Sequence, residues 1–243
     1  MRFTGETTVG DIVAEDFRTA AVFEEFGIDF CCGGRHTLAE ACHERNTDPE
    51  AVMSALTRSC SVPGIAPRFD EWSLDTLIGY IVGSHHAFVR QALPTLVAHT
   101  RKLAAVHGRQ HPELHEVERL TRHVAGEMAS HMITEEQILF PYIAALAESV
   151  ERGAAAPNAP FGSIESPIAM MEQEHEDAGA AMAAIRTLTG GYVPPEDGCT
   201  TYRVALQELE AFERDLHTHV YIENNILFPK ARRLQPHPGT SAA

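Results

Sequence analysis

HMITEEQILFP spans His131–Pro141 and HVYIENNILFP spans His219–Pro229. Both read H-x-x-x-E-x-x-I-L-F-P, 88 positions apart. Residues four apart share a face of a helix, so His131 and Glu135 point one way, as do His219 and Glu223. Around the first pair Val124, Met128, Ile138 and Tyr142 continue the face at steps of three and four. Around the second the seam is Phe212, Leu216 and Ile226. Each helix is read as an apolar core seam interrupted by one His/Glu pair.

A carboxylate in such a seam is costly unless it is paired or bound to a cation. Two facing carboxylates would also repel each other. One His/Glu pair alone reads as a buried hydrogen-bonded pair. Recurrence in register, with the same I-L-F-P tail, points instead to two metal ions, because a polar pair need not recur and a two-fold metal site must. Carboxylate and imidazole from facing helices is the ligand style of di-iron and di-manganese bundles.

The repeat also locates the other ligands. Ile168, Met171, His175, Ala178, Met182 and Ile185 form a seam on a third helix, with His175 lying 44 positions before His219. A step of 45 back from His131 reaches His86, in the seam Val82, Val89, Leu93, Leu96. The predicted halves are His86/His131/Glu135 and His175/His219/Glu223. His85 is a rival with an apolar seam of its own (Ile78, Ile81, Phe88), and the repeat spacing selects His86. His217 lies on another face, structural or just outside the ligands. His99, His107, His111, His115, His123 and His237 are read as surface residues.

The chain around these motifs is expected to be all-α. Strand signals are nearly absent. Long helical patterns run over about 73–107, with Pro94 expected to kink the first, then 113–147, from Ser166-Pro167 to TGGYVPPEDG, and 200–234. Short breaks between them suggest an up-down-up-down four-helix bundle. Before it, short helices are predicted: one capped by Asp16 and ending near Gly27, one opened by the capping-box spacing of Thr37 and Glu40, one started by Asp48-Pro49. CSVPGIAPRFDEW reads as a linker. The expected division is a small helical domain over 1–65, a bundle over 66–235 and a flexible tail over 236–243.

With 243 residues, 44% of them apolar, the chain can bury a core. A net charge of −15 argues against nucleic acid and against an anionic membrane surface. No apolar run approaches a membrane span and the N-terminus lacks a signal-peptide core, so a cytoplasmic protein is expected. Five cysteines, an odd number, suit a reducing compartment rather than a disulfide scaffold.

Cys31 and Cys32 sit in DFCCGGRH. Neighbouring Cα atoms are about 3.8 Å apart, shorter than an ordinary disulfide span, so the two are not expected to bond to each other. They are either a buried turn or a thiol pair open to a metal, a cluster or a partner's cysteine. Arg35 and the helix start nearby would favour thiolate. Cys42, Cys60 and Cys199 are read as small packed residues.

The bundle resembles the hemerythrin-like non-haem di-iron proteins. The whole chain, from TVGDIV through FCCGG to IENNILFP, is similar to the iron–sulfur cluster repair di-iron family, with matches at HAFVR (His86–Arg90), HMITE (His131–Glu135), EHEDAG around His175 and HVYIE (His219–Glu223). The resemblance implies two iron ions joined by an oxo or hydroxo bridge, with Glu135 and Glu223 bridging them. It implies damaged iron–sulfur proteins as partners, in oxidative or nitrosative stress, with Cys31 and Cys32 handling iron or thiol transfer. Two further readings stay open: a nitric oxide reductase forming nitrous oxide, and a sensor that holds dioxygen or nitric oxide. Zinc, with four ligands in a closed tetrahedron, suits the set less well. The oligomeric state is left open, a homodimer included.

Overall fold

The computed structural model describes residues 3–61 and 66–235. The expected boundary at residue 65, the tail over 236–243 and His237 lie outside the described residues. Among the described residues the structure is helical, and its β-type pairing is an isolated antiparallel bridge between Thr8 and Thr37. No helix there is long and apolar enough to cross a membrane.

Contacts group the chain into two compact units. One takes in the residues up to Leu77 together with Val220–Arg233; the other is Ile78–His219. The cut between His219 and Val220 falls inside one continuous run of helix.

The first unit holds α1 (Val9–Glu15), α2 (Ala20–Glu25), α3 (Leu38–Glu44) and α4 (Pro49–Ser61). Local chemistry sets their ends. Thr8 Oγ1 accepts from the Asp11 N–H, and Asp16 accepts from the Arg18 N–H to open the 3₁₀ turn before α2. Thr37 and Glu40 close a reciprocal capping box on α3. The caps of α1 and α3 are stitched together, with Val9 N–H donating to His36 O and Leu38 N–H donating to Thr7 O, both at 2.9 Å. Gly10 N–H donates to Gly34 O at 2.8 Å. These bonds hold the loop that carries Cys31 and Cys32.

The end of the chain completes this unit. Tyr221, fully buried, lies between Phe17 and Phe30 with ring centroids 5.8 Å from each, and its hydroxyl donates to Gly10 O. Asn225 Nδ2 donates to Cys31 O at 2.8 Å. Its Oδ1 faces Gly10 and Gly34, where any Cβ would collide with it. Glycine at both positions is therefore a matter of room for Asn225.

The bundle helices are long. After α5 (Leu74–Tyr80) come a π-helical segment (Ile81–His86) and α6 (Ala87–His107), which runs on through Pro94. Then come α7 (Glu113–Thr134), a π segment (Glu135–Leu139) and α8 (Phe140–Glu151). Next are α9 (Glu165–Leu188) and α10 (Thr200–Ile222), the latter continued by a π segment (Glu223–Leu227) and α11 (Phe228–Leu234). Polar contacts tie neighbouring helices: His86 to Glu136, His131 to Glu174, Arg186 to Glu213 and His99 to Glu208. Glu213 is buried and also accepts from the Tyr192 hydroxyl.

Two of the π segments correct the expected seams, while Ile226 in the third is buried as expected. Ile138, predicted to face the core, is 46% exposed, while Leu139 beside it is fully buried. A π turn closes i to i+5 bonds and shifts the register by about one residue. Phe140 N–H donates to Glu135 O and Phe228 N–H to Glu223 O, each immediately before a proline. Proline has no N–H, and its ring would strike the carbonyl four residues back in a regular turn. Widening the turn removes that clash. Val82 is likewise only half-buried, and Ile81 takes its place in the core.

Replacing Gly34 by alanine should destabilise the first unit by about 1–3 kcal/mol, because Asn225 cannot keep its place. Replacing Gly79, which has open space around it within α5, should be neutral or stabilise by up to about 1 kcal/mol. Urea unfolding of the two variants checks the contrast, and equal midpoints would contradict it.

Candidate metal centre

The core of the second unit is polar at one level. His86, Glu135 and His219 present donor atoms that lie within 4.8 Å of one another, and so do His131, Glu135 and His175. His86 Nε2 is 3.2 Å from His219 Nε2, and His131 Nε2 is 3.1 Å from His175 Nε2. Glu135 Oε2 is shared, 3.3 Å from His86 Nε2 and 3.2 Å from His131 Nε2. All five side chains are buried. Glu223 is also buried, one turn beyond His219 on the same run of helix and first in its π segment.

The ring orientations are held from outside. His86 Nδ1 lies 2.7 Å from Glu136 Oε1, which also accepts from Arg90 at 2.6 Å. Burial alone would raise the Glu136 carboxyl; hydrogen bonds from Arg90 and His86 outweigh it and hold the group below the usual carboxylate range. An ionised carboxylate only accepts, so His86 Nδ1 carries the proton and Nε2 offers its lone pair inward. Glu174 Oε2 does the same for His131 Nδ1 at 2.8 Å. Lone pairs of two imidazoles and a carboxylate thus converge among buried side chains. A cation placed there would meet all of them at once. The donor set fits a metal.

His85 and His86 are both buried, and their surroundings differ. His85 turns Nδ1 to Asp215 at 2.8 Å and stacks on the His219 ring, with centroids 5.6 Å apart and planes within 5°. Of the two, His86 is the one whose Nε2 meets Glu135.

Sequence comparison agrees with this chemistry. The hemerythrin HHE cation binding domain family matches residues 76–231, and a domain of unknown function, DUF542 (ScdA_N), matches residues 5–59. The Iron-sulfur cluster repair protein YtfE of Pectobacterium atrosepticum is 32% identical over 228 residues, covering 94% of this chain and 97% of that protein. Its namesake from Musicola paradisiaca is 34% identical over the same shares, and that from Yersinia pestis is 34% identical over 89% of this chain and 92% of its own. The chain belongs to the iron–sulfur cluster repair protein family. Within that family it carries a hemerythrin-type cation-binding bundle behind a small helical domain.

Several residues around this family's bundle escape a reading by periodicity. Glu136 and Glu174 each adjoin a predicted ligand in sequence, and that adjacency is the signal that could have found them. Asp215 lies four before His219. Some histidines read as surface residues are engaged: His99 pairs with Glu208 at 2.6 Å and His111 with Asp197 at 3.0 Å. Cys199 is exposed rather than packed, and its Sγ lies 3.2 Å from His107 Nε2, which lowers the thiol's pKa. Cys42 is buried as expected.

The cysteine pair corrects an expectation as well. Cys31 and Cys32 are free thiols with sulfurs 3.9 Å apart. Thiolate was expected from the nearby Arg35, but the charged group in contact with the pair is the carboxylate of Asp29. Its Oδ1 accepts from both backbone N–H groups at 2.9 Å and from the Cys31 thiol at 3.2 Å. The hydrogen bond with Cys32, burial and the Asp29 charge push the Cys31 thiol well above its ordinary range. Without a cation it stays protonated.

Replacing Glu136 or Glu174 by alanine should weaken metal binding by about 10–100-fold, with glutamine intermediate because it still accepts from Nδ1–H. Nitrogen NMR of the metal-free protein should show His86 and His131 as Nδ1–H tautomers, becoming mixtures in the alanine variants. Unchanged tautomers and affinity would refute the positioning role.

Proposed function

We propose that the chain is a di-iron protein that restores damaged iron–sulfur clusters. The observation that carries this reading is the shared position of Glu135 between two imidazole pairs, in a chain whose relatives are named for cluster repair. His86, His131, Glu135, His175, His219 and Glu223 would hold two iron ions, with Glu223 entering through the repeat that matches it to Glu135. Iron held this way supplies one-electron chemistry and exchangeable ferrous ion. The residues around it do the rest: Glu136 and Glu174 keep two Nε2 atoms aimed inward, and the apolar seams above and below exclude water. Cys31 and Cys32 would take part in thiol or iron transfer to the client. Damaged iron–sulfur proteins of the cytoplasm are the partners this reading names, with nitric oxide or dioxygen as small ligands.

The protein purified without oxygen should contain about two irons per chain, and a Glu135→Ala/Glu223→Ala variant should lose them. The loaded protein should reactivate a client enzyme whose cluster has been damaged by nitric oxide, and the variant should not. A single zinc, no metal, or rescue by the iron-free variant would overturn the proposal.

A further inference from the structure

Asp29, Cys31 and Cys32 form a group of metal-binding side chains in the first unit, outside the bundle. Their ligand atoms lie within 4.8 Å of one another. The spacing of the sulfurs is informative. Two thiolates on one tetrahedral ion, each about 2.3 Å from it, stand about 3.8 Å apart. Cys31 Sγ and Cys32 Sγ are 3.9 Å apart, a separation far too long for a disulfide, which is about 2.05 Å. The thiols are already placed as two corners of a tetrahedron.

A plain structural role accounts for only part of this arrangement. Asp29 caps the turn, but all three of its bonds to the cysteines fall on Oδ1. The second oxygen of this exposed carboxylate stays available to a ligand. Cys31 is buried and Cys32 half-buried, so an ion would sit at the rim, with one corner open to exchange. The loop is also braced: Asn225 donates to Cys31 O, and Gly10 N–H to Gly34 O. A braced loop loses little freedom when it takes an ion.

We propose that Asp29, Cys31 and Cys32 are a second metal site, taking one divalent first-row ion in an open thiolate–thiolate–carboxylate arrangement. On binding, both thiol protons pass to solvent and no electron moves. The open corner makes this a site for passing an ion on rather than for holding it. The use of the ion rests on the repair reading above; its binding does not.

Cobalt(II) titrated into the full-length protein tests the site, because thiolate-to-cobalt charge transfer in the near ultraviolet comes only from sulfur ligands. One equivalent should develop this band. Cys31→Ser and Cys32→Ser should each abolish it, with the metal content of the bundle unchanged by elemental analysis. Asp29→Asn keeps an oxygen for the two backbone N–H groups, so the turn survives, yet cobalt affinity should fall at least about tenfold. No thiolate band in the wild type, or a band that survives either serine substitution, would overturn the site. So would wild-type affinity in Asp29→Asn. Client reactivation is measured on the same serine variants: full repair there would sink the transfer role of the cysteines and leave the cobalt result standing.

Discussion

A fully buried carboxylate with imidazole nitrogens on two sides is the constraint around which the bundle is arranged. Moving a carboxylate out of water costs several kcal/mol even after relaxation. Glu135 has Nε2 atoms of His86 and His131 at 3.3 and 3.2 Å, and both nitrogens carry lone pairs inward once their Nδ1 protons are committed to Glu136 and Glu174. A cation bound there would join these groups into one cluster, and its binding energy would become part of the folding energy. His86, His131, His175 and His219 lie on four separate runs of helix, so an ion held between them would also fix which helices are neighbours and at what height.

The backbone bears a cost for this placement. π turns are rare and recur at functional sites. Among the described residues three interrupt the long helices, and they carry His85 and His86, Glu135, and Glu223. Each inserts a residue's worth of rotation between the polar level and the next helical stretch. Above and below, leucine, isoleucine and phenylalanine keep facing the core; at the level of the buried histidines and glutamates the turn widens and a polar side chain is buried. Pro141 and Pro229 make the wide turn preferable to the regular one, since a proline there would clash with an α-helical carbonyl. The I-L-F-P tail of the repeat is thus a backbone instruction, distinct from the ligand pair that precedes it.

Much of this was legible in the sequence, for reasons that differ by element. Helix type and position came from periodicity, and the Thr37/Glu40 and Asp48-Pro49 starts from local capping chemistry, which needs no tertiary information. The repeat brought His86, His131, Glu135, His175, His219 and Glu223 into consideration together, because equivalent helix positions recur at nearly equal spacing. Register inside the helices was less accessible. A rule of three and four steps assumes a constant pitch, so it placed Ile138 in the core where Leu139 belongs. Electrostatic surroundings were least accessible. Arg35 is close to the cysteines in sequence, yet Asp29 is the residue whose oxygen touches them, because the turn folds back on itself through Gly33 and Gly34. Partners such as Glu136 and Asp215 depend on which way a side chain leans, and spacing alone does not encode that.

The π segment Glu223–Leu227 shows how closely two kinds of chemistry can share one stretch of backbone. Glu223 opens the segment, and Asn225, two residues on, holds the carbonyl of Cys31 and fills the space left by Gly10 and Gly34. Both side chains are aimed by the same few dihedral angles. A regular α turn there would rotate the residues after Glu223 by about one position and carry Asn225 away from the cysteine loop. The wide turn therefore sets two things at once, the burial of a carboxylate and the bracing of a thiol pair. Asn225 itself carries no thiol, yet it ties the conformation of the thiol loop to that of the segment Glu223 begins. The order of the Cys31–Cys32 loop is for that reason a property of the last helix as much as of the loop itself.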